Sequence, residues 1–233
     1  MKIKIVNIAI LLATLIGTLF ALTQLPDQVP VHFNIYGVAD RWGSKYELLI
    51  MIPFMLIMQV IWYACDFYYR KQEKYALEEK VKAEATANIK VLNITFTAIS
   101  VLFALLNGIT LYMSYSQLEG AWAAEIDIMK AITILMGISF IILGNFMPKA
   151  KKNQLVGFRF PWTRFNDVTW SKCNRFAGYV MVICGILNLI GGLIFEGVGA
   201  TVVLLISVFG SLIPMLAYAY IIYRRELKKE QEK

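Results

Sequence analysis

Long uncharged runs alternate with short charged segments along the whole chain. Six runs contain no Asp, Glu, Lys or Arg, and they cover residues 5–26, 48–65, 91–118, 131–148, 176–195 and 197–223. An α-helix rises about 1.5 Å per residue, so a run of about 18 residues reaches roughly 27 Å, close to the thickness of a bilayer's hydrocarbon core. The pattern therefore predicts an all-α membrane protein with six transmembrane helices. We expect the first run to be a retained helix, because its apolar part is too long for a typical signal peptide.

Composition supports this fold class and narrows the chemistry. Hydrophobic residues make up 58% of the chain and charged residues only 17%, whereas soluble domains carry about a quarter charged residues. The three cysteines are an odd number without metal-ligand spacing, so they predict neither a disulfide framework nor a zinc site. We expect no metal and no cofactor, and membrane lipids as the surroundings of the helices.

The basic residues predict the orientation of the helices. Twenty of the 23 Lys and Arg residues lie before helix 1, between helices 2 and 3, between helices 4 and 5, or after helix 6. Only Arg41, Lys45 and Lys130 fall on the other side. Because loops rich in Lys and Arg stay inside, both termini are expected in the cytoplasm. The same asymmetry accounts for most of the net charge of +7, so no direct contact with nucleic acid is needed to explain it.

These observations divide the chain into four predicted regions. A helical pair is followed by a helical connector, a four-helix region and a basic tail. Their expected bounds are 1–68 for the pair, with an outer loop at 26–47; 69–90 for the cytoplasmic connector; 91–223 for the four helices, with an inner loop at 147–175; and 224–233 for the cytoplasmic tail. The outer loop 26–47 is called the first loop below, and the inner loop 147–175 the basic loop.

The first loop is predicted to be ordered. Residues 31–33 favour a short strand, and Asn34 and Gly37 are turn formers. Ser44 and Glu47 have the spacing of a capping box directly before an apolar run, which places the start of helix 2 there. His32, the only histidine of the chain, lies between these features. A single histidine offers one metal ligand. The favoured interpretation of His32 is hydrogen bonding within the loop, followed by recognition of an external ligand and last by general-base catalysis.

The connector has two interpretations, and the polar residues of helix 3 have one. Opposite charges four residues apart, such as Lys80 and Glu84, predict a helical connector, either a solvated extension or a docking surface for a cytoplasmic partner. Asn93 and Asn107 lie at membrane depth in helix 3, where amides usually tie neighbouring helices together.

The segment 144–175 combines charge with aromatic rings. It holds seven basic residues and six Phe or Trp residues, and its only acidic residue is Asp167. Such a mixture predicts a place at the boundary between water and the membrane. Pro148 is expected to end helix 4, Gly157 to allow either a close approach or a positive φ, and Asn166 or Asp167 to cap helix 5.

The stiff part of this segment leaves its role open. Pro161 favours an extended backbone before it, so Arg159 is expected in a rigid, aromatic-flanked position where its guanidinium can stack or make a bidentate contact. Lipid anchoring, packing and partner binding are all consistent with this pattern. No nucleophile elbow, metalloprotease, phosphate-binding or dinucleotide-binding motif occurs in the chain, so we expect a protein that is not an enzyme. A second hypothesis is a transporter or lipid-modifying or small-molecule-modifying membrane protein, with an inner cavity lined by Asn145, Asn153, Arg159 and Asn174.

Two motifs resemble a known family. Residues 144–178 read G-N-x-M-P-K-x-K-x-N-x-x-x-G-x-R-x-P-W-T followed by W and R-F-A-G, and the first loop reads V-P-V-H-F-N-x-x-G-x-x-D-R-W-G-S-K. The first motif resembles that of the SdpI family, and the second resembles a domain of unknown function often fused to the N-terminal side of that family. Two positions depart from the family pattern: Phe160 where Thr is frequent, and Asn174 where His is frequent.

The resemblance implies a six-helix membrane protein of Gram-positive type. It implies immunity to a secreted toxic peptide and signalling in which the toxin-engaged protein holds a transcriptional autorepressor at the membrane. The toxin-facing candidates are Pro30, His32, Asn34, Gly37, Asp40 and Arg41. The residues of the cytoplasmic motif are Asn145, Pro148, Asn153, Gly157, Arg159, Pro161, Trp162, Thr163, Trp170, Asn174 and Arg175.

Overall fold

Six long helices make up most of the chain in a computed structural model, which describes residues 2–118 and 127–232. Their bounds are α1 Lys2–Gln24, α2 Met51–Tyr75, α3 Glu79–Leu118, α4 Ile128–Phe146, α5 Asp167–Ile194 and α6 Gly197–Gln231. Together with the short helical turns that adjoin α2 and α4, all six are long and apolar enough to cross a membrane. The prediction of an all-α membrane protein with six spans is therefore confirmed.

The first loop contains the two strands of the fold among the described residues. Strand β1 (Gln28–Phe33) pairs in antiparallel fashion with strand β2 (Ala39–Ser44). The predicted strand is thus present and longer than expected, whereas β2 was not anticipated. Its sequence, with Asp40, Gly43 and four exposed or half-exposed neighbours, lacks the β-branched residues that mark a strand.

A capping box ends the first loop, as predicted. The Ser44 backbone N–H donates to Glu47 Oε1 at 3.1 Å, and the Tyr46 N–H donates to Ser44 Oγ at 3.4 Å. These bonds start a 3₁₀ helix, Lys45–Ile50, that leads directly into α2. The predicted start of helix 2 is confirmed, although its first turns are wound more tightly than an α-helix.

Several helices extend beyond the uncharged runs. Helix α5 begins at Asp167, inside the basic loop, and α6 continues to Gln231, through most of the predicted tail. Between α2 and α3 the chain leaves the helix at residues 76–78, so the connector consists of two helix ends and a turn. Lys80 pairs with Asp167 at 3.7 Å, in place of the predicted helical partner Glu84. Lys, Arg and Glu are good helix formers, so such a residue can end an apolar run without ending the helix.

The chain divides into two compact units. The first unit comprises residues 1–61, 97–136 and 188–204. Its apolar core below the hairpin contains Leu22, Leu25, Val29 and Leu48. Within it, Asn107 Nδ2 of α3 donates to Thr18 Oγ1 of α1 at 2.8 Å, so the predicted intramembrane amide ties two helices together.

The second unit comprises residues 62–96, 137–187 and 205–233. The indole N–H of Trp62 donates to Asn93 Oδ1 at 3.1 Å, which confirms the role expected of that amide. Helices α4 and α5 approach so closely that a Cβ on Gly144 would lie 2.7 Å from the carbonyl oxygen of Gly178. Small residues of this kind allow helix backbones to pack in a membrane without a hydrophobic driving force.

Candidate functional site

The first loop forms a hairpin whose turn is held by one asparagine. Asn34 Oδ1 accepts hydrogen bonds from the backbone N–H groups of Tyr36 at 2.9 Å and Val38 at 3.2 Å. Gly37 has a φ of +72°, a conformation that favours glycine. Both predicted turn formers therefore act as the sequence indicated.

Two side-chain pairs lie on the exposed side of this hairpin. His32 Nδ1 and Asp40 Oδ1 are 2.5 Å apart, with 63% and 45% of the two side chains exposed. Arg41 donates to Glu47 Oε2 at 2.9 Å. The carboxylate orients the imidazole through Nδ1, which leaves Nε2 for a hydrogen bond with another molecule.

Two of the predicted toxin-facing residues do not present side chains to solvent. Pro30 is buried, and its carbonyl oxygen accepts from Ser114 Oγ of α3 at 2.7 Å. Gly37 is also buried, close to Met113. Both residues fix the shape of the hairpin, so we expect any part that they play in toxin recognition to be indirect.

The basic loop is organised around Asn153. Its Oδ1 accepts from the backbone N–H groups of Leu155 and Val156, both at 2.7 Å, and from the Tyr69 hydroxyl at 2.8 Å. Its Nδ2 donates to the carbonyl oxygen of Val156 at 2.8 Å. Beside it, Asn88 Oδ1 accepts from the Lys151 N–H at 2.9 Å. Asn153 thus joins the loop to α2, with every polar atom of its side chain engaged.

A second brace comes from Asn174 on α5. This residue is fully buried, and its Oδ1 accepts from the Phe158 N–H at 2.7 Å while Nδ2 donates to the Trp170 carbonyl at 3.1 Å. Gly157, with φ +119°, passes so close that a Cβ there would lie 2.6 Å from Asn174 Oδ1. The predicted positive φ is confirmed. An imidazole in place of this amide would be a larger group in a filled space, so the departure from the family pattern at Asn174 fits its packing.

Two further motif residues, Thr163 and Trp170, and the neighbouring Asn166 brace the backbone. The buried Thr163 hydroxyl donates to the Phe158 carbonyl and accepts from the Phe160 N–H, both at 2.9 Å. The Trp170 indole N–H donates to the Ala150 carbonyl at 2.8 Å. Asn166 Oδ1 accepts from the Thr169 N–H at 2.8 Å, which makes Asn166 the cap of α5. Most polar residues of the motif therefore stabilise the fold of the loop itself.

The remaining motif residues are at or near the surface. Arg159 is exposed and donates to the Gln154 carbonyl, Arg175 donates to the Tyr179 hydroxyl at 2.9 Å, and the Trp162 ring packs edge-on against Tyr220. The other exposed motif residues are Asn145, Pro148 and Pro161. We find for Arg159 a carbonyl contact where a stacked or bidentate one was expected.

A cavity of about 230 Å³ opens beside the basic loop, between the end of α2 and the start of α3. Of the four residues expected to line an inner cavity, only Asn153 does so here. Asn174 is buried in hydrogen bonds, and Asn145 and Arg159 are exposed. This cavity therefore lacks the lining expected under the second hypothesis, because the amide of Asn174 serves the loop backbone.

Sequence reasoning missed three polar residues that position these elements. Tyr69 and Asn88 hold Asn153 and Lys151 across separations of more than 60 residues, which no local pattern reveals. Asp127 accepts from the Lys130 N–H at 2.8 Å and from the Gly197 N–H at 2.7 Å, so it caps α4 and also holds the start of α6. Only the first of these Asp127 contacts has a sequence signal, since Asp is a preferred N-cap residue. Within residues 2–118 and 127–232, no group of three or more His, Cys, Asp and Glu side chains is placed to hold a metal ion.

Comparisons with known proteins cover both loops. Residues 9–57 match the domain of unknown function DUF1648, and residues 149–221 match the SdpI/YfhL protein family. The chain carries an SdpI/YfhL family domain. The resemblance to the SdpI family and to its N-terminal companion domain is thereby confirmed, and the chain is a multi-pass membrane protein.

One relative is similar to the chain over most of its length. The immunity protein SdpI of Bacillus subtilis (strain 168) is 25% identical over 190 residues, which are 80% of this chain and 80% of the relative. No solved protein structure matches the chain.

Proposed function

We propose that this chain is a membrane immunity protein that protects its cell from a secreted toxic peptide. The observation that carries the proposal is the likeness to an immunity protein over 80% of both chains, which extends well beyond either matched domain. A role without catalysis agrees with that relative's name and with the lack of catalytic motifs in the sequence.

The proposal includes an orientation with both termini in the cytoplasm. The distribution of Lys and Arg supports it, since loops rich in these residues stay inside. The first loop would then face outward and the basic loop inward. In a cysteine-free background, Asp40→Cys should react with a membrane-impermeant maleimide on intact cells, and Lys152→Cys should react only after lysis. The reverse pattern would overturn the orientation.

The outer hairpin is the part proposed to meet the toxin. Its His32–Asp40 and Arg41–Glu47 pairs are exposed and held in place by an ordered turn, so they offer fixed hydrogen-bonding groups at low entropic cost. Asn34 takes part indirectly, because its side chain holds the turn.

A toxin challenge tests the immunity claim. Deleting the gene should sensitise cells to the toxic peptide made by the same strain, and a plasmid copy should restore growth. The His32→Ala copy should restore it incompletely, whereas His32→Gln, which keeps one polar contact, should do better. If the deletion strain tolerates the peptide as well as its parent, the immunity claim fails.

The cytoplasmic half of the proposal concerns signalling. The exposed Arg159 and the aromatic cluster of Trp162 and Tyr220 would help to hold a transcriptional autorepressor at the membrane. Arg159→Ala should reduce the membrane fraction of the repressor after toxin exposure. Arg164→Ala is the matched control, since Arg164 is an exposed arginine of the same loop outside the motif. Equal recruitment by both variants would remove Arg159 from the docking surface.

The second hypothesis, a transporter or a lipid-modifying or small-molecule-modifying membrane protein, has less support. It required a cavity bordered by four motif residues, and the cavity beside the basic loop is lined by only one of them.

A further inference from the structure

The cavity beside the basic loop has a composition that suits one kind of ligand. It lies wholly within the second unit, and its polar and aromatic lining includes Tyr68, Tyr69, Gln72, Glu84, Asn88 and Lys152. Its volume of about 230 Å³ is below the roughly 300–1,000 Å³ of typical small-molecule pockets. A space of this size suits a single large side chain better than a substrate of drug-like size.

The floor of the cavity is held in place by buried hydrogen bonds. Tyr69 is 1% exposed and donates to Asn153, and Asn88 is 3% exposed and accepts from the Lys151 backbone. These contacts connect α2, α3 and the basic loop. The cavity is therefore preformed, and a ligand would not have to order its walls.

Three groups in the cavity lining suit a positively charged ligand. Glu84 is half-buried, and within residues 2–118 and 127–232 its carboxylate forms no ion pair. Gln72 donates through Nε2 to the Tyr68 hydroxyl at 2.9 Å, which leaves its Oε1 as an acceptor. Tyr68, which is 43% exposed, adds an aromatic ring. A carboxylate, an amide oxygen and an aromatic face together match a cation.

Among biological cations, a guanidinium can bind the carboxylate, the amide oxygen and the aromatic ring at the same time. It is planar, donates two parallel hydrogen bonds to a carboxylate and stacks on aromatic rings. Lys152 lies at the exposed side of the cavity and opposes a cation there, so it sets a limit on affinity.

We infer that this cavity binds an arginine side chain presented by a cytoplasmic partner protein. Glu84 pairs with the guanidinium, Tyr68 stacks on it and Gln72 accepts a further hydrogen bond. The inference rests on the proposed function for the sidedness of the loop and for the existence of a partner. The binding step itself depends only on the cavity.

A short peptide tests the binding step with the full chain in lipid nanodiscs. The probe is acetyl-Gly-Arg-Gly-amide, compared with the same peptide carrying uncharged citrulline, and binding is followed by saturation-transfer NMR. We expect the arginine peptide to bind about tenfold or more tightly than the citrulline peptide, because a charge-assisted pair is lost in the latter.

Three variants make the assignment specific to Glu84. Glu84→Gln should weaken binding of the arginine peptide about tenfold, and Lys152→Gln should strengthen it, a gain that misfolding cannot produce. Glu78→Gln is the matched control, because Glu78 is an exposed acidic residue of the same connector outside the cavity lining. The inference is overturned if the two peptides bind alike, or if Glu84→Gln and Glu78→Gln have equal effects.

Growth in the presence of the toxic peptide separates this inference from the proposed function. Glu84→Gln should leave protection at the level of the unchanged protein, since the cavity is not part of the hairpin. Protection with no arginine binding would discard the cavity inference alone. Arginine binding with no protection would discard the immunity claim and keep the cavity.

Discussion

The two loops use their polar motif residues in opposite ways. In the first loop, His32, Asp40 and Arg41 lie on the surface and pair with neighbouring side chains. In the basic loop, Asn153 is half-buried and Asn174 is fully buried, and both side chains bind mainly the backbone. A motif can therefore mark recognition chemistry in one loop and a folding requirement in the other.

The difference follows from how each backbone satisfies its own hydrogen bonds. The hairpin pairs its strands directly, and one asparagine and one glycine close the turn. The basic loop has almost no regular structure between α4 and α5, so its buried N–H and C=O groups need side-chain partners. Irregular backbone near a membrane makes buried amides and hydroxyls necessary.

The largest effect on stability is expected at Asn174, where a variant directly tests the contrast between the two loops. Asn174→Ala would leave the buried Phe158 N–H without its acceptor and open a small void, and should cost about 3 kcal/mol of unfolding free energy. Thermal unfolding in detergent micelles measures the loss. Asn145→Ala, at an exposed asparagine just before the loop, should stay within about 0.5 kcal/mol. Equal losses would show that Asn174 is not a brace.

A smaller effect should follow from removing a single bond of Trp170. Trp170→Phe keeps most of the buried ring but frees the Ala150 carbonyl, so a loss of about 1–2 kcal/mol is expected. Limited trypsin digestion should also cut sooner at Lys151 and Lys152. The corresponding change at Trp42 in β2, which is 53% exposed, should alter neither quantity. Faster cleavage in the Trp42→Phe variant would contradict the contrast.

The smallest effect on stability is expected at His32. His32→Ala removes one exposed pair, which is worth at most about 1 kcal/mol, so the unfolding temperature should hardly move. Toxin protection, in contrast, should fall if the hairpin is the recognition surface. A double-mutant cycle with Asp40→Asn would sharpen the result. A large drop in unfolding temperature would show that His32 has a structural role, like that of Asn153 and Asn174 in the basic loop.

Local features of this fold were readable from the sequence, and long-range ones were not. The six apolar runs, the capping box at Ser44, the positive φ of Gly157 and the cap at Asn166 each follow from residues close together in the chain. Bonds such as Tyr69 to Asn153 or Asp127 to Gly197 depend on how distant segments pack, which no local pattern encodes.

The candidate sites divide in the same way. The two motifs located the two loops, and the motif of the basic loop included its braces except Tyr69, Asn88 and Asn166. It could not separate braces from surface residues, because a buried and an exposed asparagine look alike in a sequence. The exposures of Asn174 and Asn145 decide that question.

The glycine contacts between α4 and α5 limit how the second unit can move. Gly144 meets Gly178, and Gly137 meets Gly185, with the glycines seven residues apart on each helix. At both points a methyl group would collide with the backbone of the other helix. An axial shift of one residue would bring larger side chains into these two positions, so the helices cannot slide past each other. A conformational change in this unit would therefore have to move α4 and α5 together as one rigid body.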